Sequence, residues 1–349
     1  MRLHSLVAVV LGVVAVAACT DEPVTEPAAA PEAVGVGVAP AFAAATASDP
    51  DAPVVSPFLA DLDARLAAAG SNLRVARAEL IADASSEPVS SLVLLANNRA
   101  RGLAYEWVAG DPRRDGRVGV TYAFDPRQGR EPFTRNPDGS GLRQMPFAEL
   151  EPQLETTMAA WRGQGCSDAP ITRAAVAAGS DPDLLDQLFL GADGAGRVYA
   201  QGADIIQGGW QHPNFFTAFA GADGNSIIGV TFTFWYVDAN GDPTDIDGNG
   251  KADTGLAEIY YNTRFAWGST GALNVVDTYT ITTHETGHSM GLGHFGKVFV
   301  TKKAAADGIG VADVKYAPKA LMNAVYVTGR TDILGTDQSQ FCQIWAAKN

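Results

Sequence analysis

Cysteine is scarce in this chain, with three residues in 349, so a disulfide-dense scaffold of the small secreted kind is excluded. Histidine is nearly as rare, at five. No internal apolar run approaches the ~18 residues that a spanning helix needs, which excludes a multi-span membrane protein. Basic residues are in deficit. Lys+Arg 25 against Asp+Glu 39 gives a formal net charge of −14, with no basic stripe to release counterions from phosphates, and this argues against nucleic-acid binding. Apolar material is not lacking. At 46% hydrophobic and 18% charged the chain can build a core, so wholesale disorder is ruled out. The length predicts about two domains at roughly 100–200 residues each.

The N-terminus reads as an address. Met1-Arg2-Leu3-His4 is a short cationic start and Leu6–Ala18 is an almost unbroken apolar run, the pattern of a secretory signal peptide over residues 1–18. The run ends Val16-Ala17-Ala18-Cys19, which resembles the lipobox of bacterial lipoproteins. That resemblance implies lipidation of Cys19 and a lipid-anchored place in the cell envelope or outside it; an ordinary signal peptide ending near a cysteine is the plainer alternative. Thr20–Ser56 holds eleven Ala, six Pro and no Lys or Arg, so residues 19–56 read as a disordered tether. Beyond Cys19 only Cys166 and Cys342 remain. An even pair in an oxidising compartment predicts one disulfide, worth roughly 4–5 kcal/mol by loop entropy; two separate buried thiols are the other reading.

Phe58–Ala69 has apolar residues at helical spacing and stops at Gly70. Strand-like runs follow at Leu73–Ala82, Ser91–Ala96 and Leu103–Val108, and together these predict a small N-terminal module over residues 57–112. Residues 113–349 read as a larger α/β domain. Val118–Phe124, Val198–Ile206, Ile227–Val237 and Glu258–Asn262 are its strand candidates, and Phe147–Arg162 is a helix with Leu150, Leu154, Met158 and Trp161 along one face.

Three of the histidines fall within eleven residues, in His284-Glu285-Thr286-Gly287-His288-Ser289-Met290-Gly291-Leu292-Gly293-His294. His284 and His288 are i, i+4, so a helix projects both imidazoles from one face toward one ion. Glu285 stands one residue further round, beside the ion without ligating it. Gly291 lets the chain turn sharply out of the helix, because φ > 0 costs glycine little, and this brings His294 back as a third ligand. Three protein ligands leave one tetrahedral position of a zinc ion open, the mark of a catalytic site. The bland alternative is three histidines on a helix surface by accident.

The motif resembles that of the metzincin metallopeptidases, H-E-x-x-H-x-x-G-x-x-H followed by a methionine turn, and among them the bacterial matrixin-like secreted proteases. Ala320-Leu321-Met322-Asn323-Ala324 is the turn candidate, and Ala257–Trp267 precedes the zinc helix. The resemblance runs from about Arg117 onward. It implies an α+β (mixed α/β) zincin fold: a twisted, mostly parallel sheet, an active-site helix at about Thr278–Met290, a backing helix at Phe147–Arg162, and a smaller C-terminal part with a last helix near Asp337–Ala347. It implies Met322 as an apolar floor beneath the metal. It also implies an extended peptide antiparallel to the sheet's edge strand, which by order along the chain is Ile227–Val237. The His294–Met322 interval is long, so Lys297–Pro318 reads as an inserted hairpin. Tyr326 is out of register for a ligand tyrosine. With no cysteine between Cys19 and Cys166, latency through a pro-segment cysteine is excluded.

A second cluster is oxygen-rich. Asp245, Asp247, Asn249 and Asp253 occupy positions 1, 3, 5 and 9 of a calcium-loop pattern, with Gly250 at position 6. Position 12 is Leu256 rather than Glu. The readings are a Ca2+ site or a glycine-rich loop of solvated carboxylates between two strands. Taken together, the expectation is a monomeric zinc endopeptidase acting on polypeptides, with Glu285 as general base and then general acid. Two alternatives stand beside it: a catalytically idle zinc-binding surface lipoprotein serving as a binding scaffold, and a zinc hydrolase of non-peptide substrates.

Overall fold

The computed structural model describes residues 52–83, 91–101, 104–125, 131–185, 187–188, 198–268, 275–300, 314–317, 319–326 and 332–346. The signal peptide, Cys19 and nearly all of the tether lie outside the described residues. Twelve strands matter here: β1 (Val54–Val55), β2 (Leu73–Asp83), β3 (Val93–Leu95), β4 (Tyr105–Glu106), β5 (Val120–Phe124), β6 (Ile171–Arg173), β7 (Ile205–Gln211), β8 (Ile227–Tyr236), β9 (Ala252–Asn262), β10 (Lys297–Val300), β11 (Val314–Ala317) and β12 (Val325–Tyr326). Five helices accompany them: α1 (Pro57–Ala68), α2 (Phe147–Arg162), α3 (Pro213–Ala220), α4 (Thr278–Ser289) and α5 (Thr336–Trp345).

The fold is mixed α/β around a ten-stranded sheet in the order β1-β3-β2-β8-β9-β7-β5-β6, with β12 also on β2 and β4 also on β9. Most neighbouring strands are parallel; β8 is antiparallel to both β2 and β9. One apolar cluster joins Leu150, Leu154, Met158 and Trp161 of α2 to Ile281 of α4 and Phe341 of α5. A second joins Leu59, Leu62 and Leu66 of α1 to Phe216 of α3 and Phe232 of β8. Burial on this scale, at about 25 cal/mol per Å² of apolar surface, is the main favourable term in folding.

Two expectations give way. The separate module over 57–112 does not stand apart, because β2 is a full partner of β8 and α1 shares its apolar cluster with residues beyond 200. Nor is Ile227–Tyr236 an edge strand: β2 covers one side from Ile227↔Ala82 to Tyr236↔Leu73, and β9 covers the other. The physical reason lies in its composition. All ten residues of β8 are buried, which suits a strand enclosed on both faces and both edges rather than a half-solvated rim. The Glu258–Asn262 run also extends further, as the eleven-residue β9. The expected insertion does supply an antiparallel pair, β10 with β11.

Candidate metal centre

Helix α4 is not built on propensity. Its sequence, TYTITTHETGHS, is rich in threonine, a β-branched residue that gives up χ1 freedom in a helix. Tertiary hydrogen bonds hold it instead. Asp277 caps the start by accepting from Thr280 N at 2.6 Å, as N-cap carboxylates do. Trp161 Nε1 donates to Thr283 O at 2.9 Å, the Thr157 and Thr282 hydroxyls lie 2.6 Å apart, and Gln207 Nε2 donates to Thr286 Oγ1 at 3.2 Å. At the far end Trp107 Nε1 donates to Ser289 O and Trp345 Nε1 to Met290 O, each at 2.8 Å. The chain then turns at Gly291, whose φ of 93° favours glycine.

This framework brings the three imidazoles together. His284 Nδ1 lies 2.8 Å from Leu321 O and His288 Nδ1 lies 2.8 Å from Leu292 O. A carbonyl only accepts, so each Nδ1 carries the proton and each Nε2 keeps a lone pair. Those two Nε2 atoms are 3.0 Å apart. His294 closes the set, with ring centroids 4.7 Å from His288 and 5.5 Å from His284, and one ligand atom from each of the three residues falls within 4.8 Å of the others. Nitrogens held at 2.0–2.1 Å by a tetrahedral zinc sit about 3.3 Å from one another, so the donor set fits that ion. Burial, and after it the neighbouring rings, hold His284 and His288 well below the usual imidazole range. Both are therefore neutral at ordinary pH, as ligands must be. His284 and His288 are buried, while His294 is partly exposed.

Glu285 lies against β8. Thr231 Oγ1 donates to Glu285 Oε2 at 2.6 Å, and the backbone of Gly229 approaches so closely that a Cβ there would sit 2.8 Å from Glu285 Oε1. That Oε1 is buried without a hydrogen-bond partner among the described residues. Such an orphaned acceptor is rare in a folded protein and fits a group that acts on a proton. Burial pushes the Glu285 carboxyl well above the carboxylate range; the Thr231 hydrogen bond opposes this and the charge of Glu79 adds to it.

Met322 is fully buried beneath the helix. A Cβ on Gly287 would meet its sulfur at 2.5 Å, so glycine is what lets the methionine sit there. The turn carrying Met322 is pinned by Asp337 of α5, which accepts from Leu321 N at 2.8 Å and Met322 N at 3.0 Å. The Tyr326 hydroxyl accepts from Asp277 N at 2.9 Å. His212 caps α3 by accepting from Asn214 N.

In the second cluster, turn hydrogen bonds tie the loop side chains to the loop backbone. Asp245 accepts from the backbone of Asn249 and Gly250, and Asp247 from Asn249 N. Asp253 accepts from Ile246 N of the same loop at 3.2 Å and is also bound to Arg113 at 2.6 Å and Thr244 Oγ1 at 2.6 Å. Among the described residues the three histidines are the one group of three or more His/Cys/Asp/Glu close enough to share an ion, and Asp245, Asp247 and Asp253 do not form a second. Glu258 is remote from this loop, accepting from Leu184 N and Leu185 N.

Cys166 and Cys342 form a disulfide with Cα atoms 5.6 Å apart. No described helix is long and apolar enough to cross a membrane. Sequence reasoning missed Thr231, Asp337 and Glu79. Thr231 and Asp337 carried no local signal, but Glu79 did: it is the one acid in the run Leu73–Ala82. No protein-family model matches the chain, and no curated protein does either.

Proposed function

We propose that this chain is a zinc-dependent endopeptidase of metzincin type. The observation that carries the reading is a set of three imidazoles with ligand atoms converging on one point, with Glu285 next in sequence to His284 and one of its carboxyl oxygens unpartnered. Zinc bound there supplies Lewis acidity, polarising a scissile carbonyl and lowering the pKa of a water toward ~7. Glu285 takes the proton of the attacking water at Oε1 and delivers it to the leaving amine, while Thr231 holds Oε2 and leaves Oε1 free to accept. His284 and His288 are held in register by the carbonyls of Leu321 and Leu292. Met322 supports the site as an apolar floor. Since β2 occupies the edge of β8, the peptide approaches from the side of His294, the least buried member of the triad. Lipidation at Cys19 would hold the enzyme at the cell envelope.

Zinc content by elemental analysis, together with casein or gelatin cleavage by wild type and Glu285→Gln, tests this. One zinc per chain is expected in both, with turnover in the variant lower by roughly 10²–10⁴-fold, the usual weight of general acid–base catalysis. Full activity in Glu285→Gln overturns the mechanism. The filled edge of β8 is the observation that favours the second reading, a zinc-binding lipoprotein without activity, and inactivity of both zinc-loaded proteins would support it.

A further inference from the structure

The metzincin-like motifs begin near Arg117, yet a strand from outside that stretch reaches the triad. Glu79 of β2 is 1% exposed and stands directly across from Thr231 in the β2–β8 register. Directly opposed residues share one face of a sheet, so Glu79 lies on the same face as the hydroxyl that holds Glu285. Its Oε2 is 3.5 Å from His288 Nδ1 and accepts from the Tyr105 hydroxyl at 3.0 Å. Arg77 Nη1 stands 3.7 Å from its Oε1, with the guanidinium stacked 4.2 Å from the Tyr105 ring centroid.

Packing alone does not account for a carboxylate here. Taking an ion from water costs several kcal/mol, and apolar side chains of the same volume commonly serve a buried position as well or better. The neighbours of Glu79 on β2, Ala78 and Leu80, are apolar and fully buried. Beyond its partners Arg77 and Tyr105, the carboxylate faces the proton-bearing side of a ligand imidazole. His288 Nδ1–H already donates to Leu292 O. A negative charge on that same side makes the opposite nitrogen, Nε2, a stronger donor toward a cation, as outer carboxylates do for histidine ligands generally.

We propose that Glu79 is a positioning residue of the metal centre, supplied by the N-terminal β2 strand, which acts through His288 to strengthen its grip on the ion. The proposal rests on reading the triad as a zinc site. Tyr105 and Arg77 hold the carboxylate in place and offset its burial.

The full chain is titrated with Zn2+ against a chromophoric chelator, and with Co2+ followed by its visible absorption, in wild type and Glu79→Gln. Gln keeps the shape and still accepts from Tyr105, so a packing role predicts no change. The positioning role predicts metal affinity lower by roughly ten- to hundredfold and a shifted Co2+ band, with the thermal midpoint of the metal-free protein not lowered. A dissociation constant within about twofold of wild type overturns the proposal and leaves the zinc reading intact. Failure of wild type to take up one ion per chain overturns both. If Glu79→Gln does not fold, Tyr105→Phe decides by the same titration. It frees the carboxylate from its hydroxyl, and weakened binding supports the proposal whereas an unchanged constant overturns it.

Discussion

Thr231 Oγ1 lies 2.6 Å from Glu285 Oε2 and 2.9 Å from the Glu285 carbonyl, so a single hydroxyl fixes both the side chain and the backbone of the proposed base. Replacement by valine keeps the shape and removes the donor. A hydrogen bond to a charged group is worth about 1.5–3 kcal/mol, which corresponds to roughly ten- to hundredfold in rate. Thr231→Val is therefore expected to lower kcat by that factor at unchanged zinc affinity, with Thr231→Ser retaining most of the activity. Peptidase assays beside a metal titration check it, and an unchanged kcat would show that Glu285 works without this donor. At this scale the sequence was legible where chemistry is local. His284, Glu285, His288 and His294 fall within eleven residues, so helix periodicity and one glycine turn suffice to place them. Thr231 and Asp337 lie 54 and 53 residues from Glu285 and His284, and only the tertiary fold brings them in.

Helices were legible for a related reason. Phe147–Arg162 coincides with α2, and Thr278–Met290 ends one residue beyond α4, since apolar spacing and the histidine spacing both report helical period. Strand placement was not. Nothing in the local pattern of Leu73–Ala82 states that it lies beside Ile227–Tyr236, some 150 residues on; pairing is a non-local property. The apolar and β-branched run of β8 suits an interior strand, and the family-based expectation of an edge ran against it. Gly287 illustrates the opposite balance within α4. Mid-helix glycine costs about 1 kcal/mol relative to alanine, yet a Cβ at 287 would stand 2.5 Å from Met322 Sδ and 3.0 Å from Trp161 Cζ2. Overpacking of this kind costs roughly 1–3 kcal/mol, more than the propensity gain. Gly287→Ala is expected to lower stability in urea unfolding and to weaken zinc binding by moving the floor. A stabilised variant would mean Met322 has room to yield.

Across the whole molecule the candidate metal centre is assembled from parts spread through the sequence: β2, α2, β8, α4, the Met322 turn and α5. The C-terminal helix matters most for cohesion. It carries Asp337, which holds the turn whose Leu321 carbonyl orients His284, and its Phe341 packs 5.3 Å from Trp161 of α2. The Cys166–Cys342 bond fastens this helix to the chain just after α2 across 176 residues of sequence. In the chain-entropy account a loop of that length removes about 5 kcal/mol of unfolded-state freedom. The double variant Cys166→Ser, Cys342→Ser is expected to lose a large part of that in denaturant unfolding. The loss reaches the triad as well, because a fraying α5 releases the 321–322 turn and with it the acceptor that keeps the His284 proton on Nδ1. Zinc affinity should therefore fall along with the unfolding midpoint. If stability drops while zinc affinity holds, the aromatic contacts of Phe341 and the Trp345 hydrogen bond to Met290 O are enough to keep α5 seated, and the disulfide acts on the unfolded chain alone.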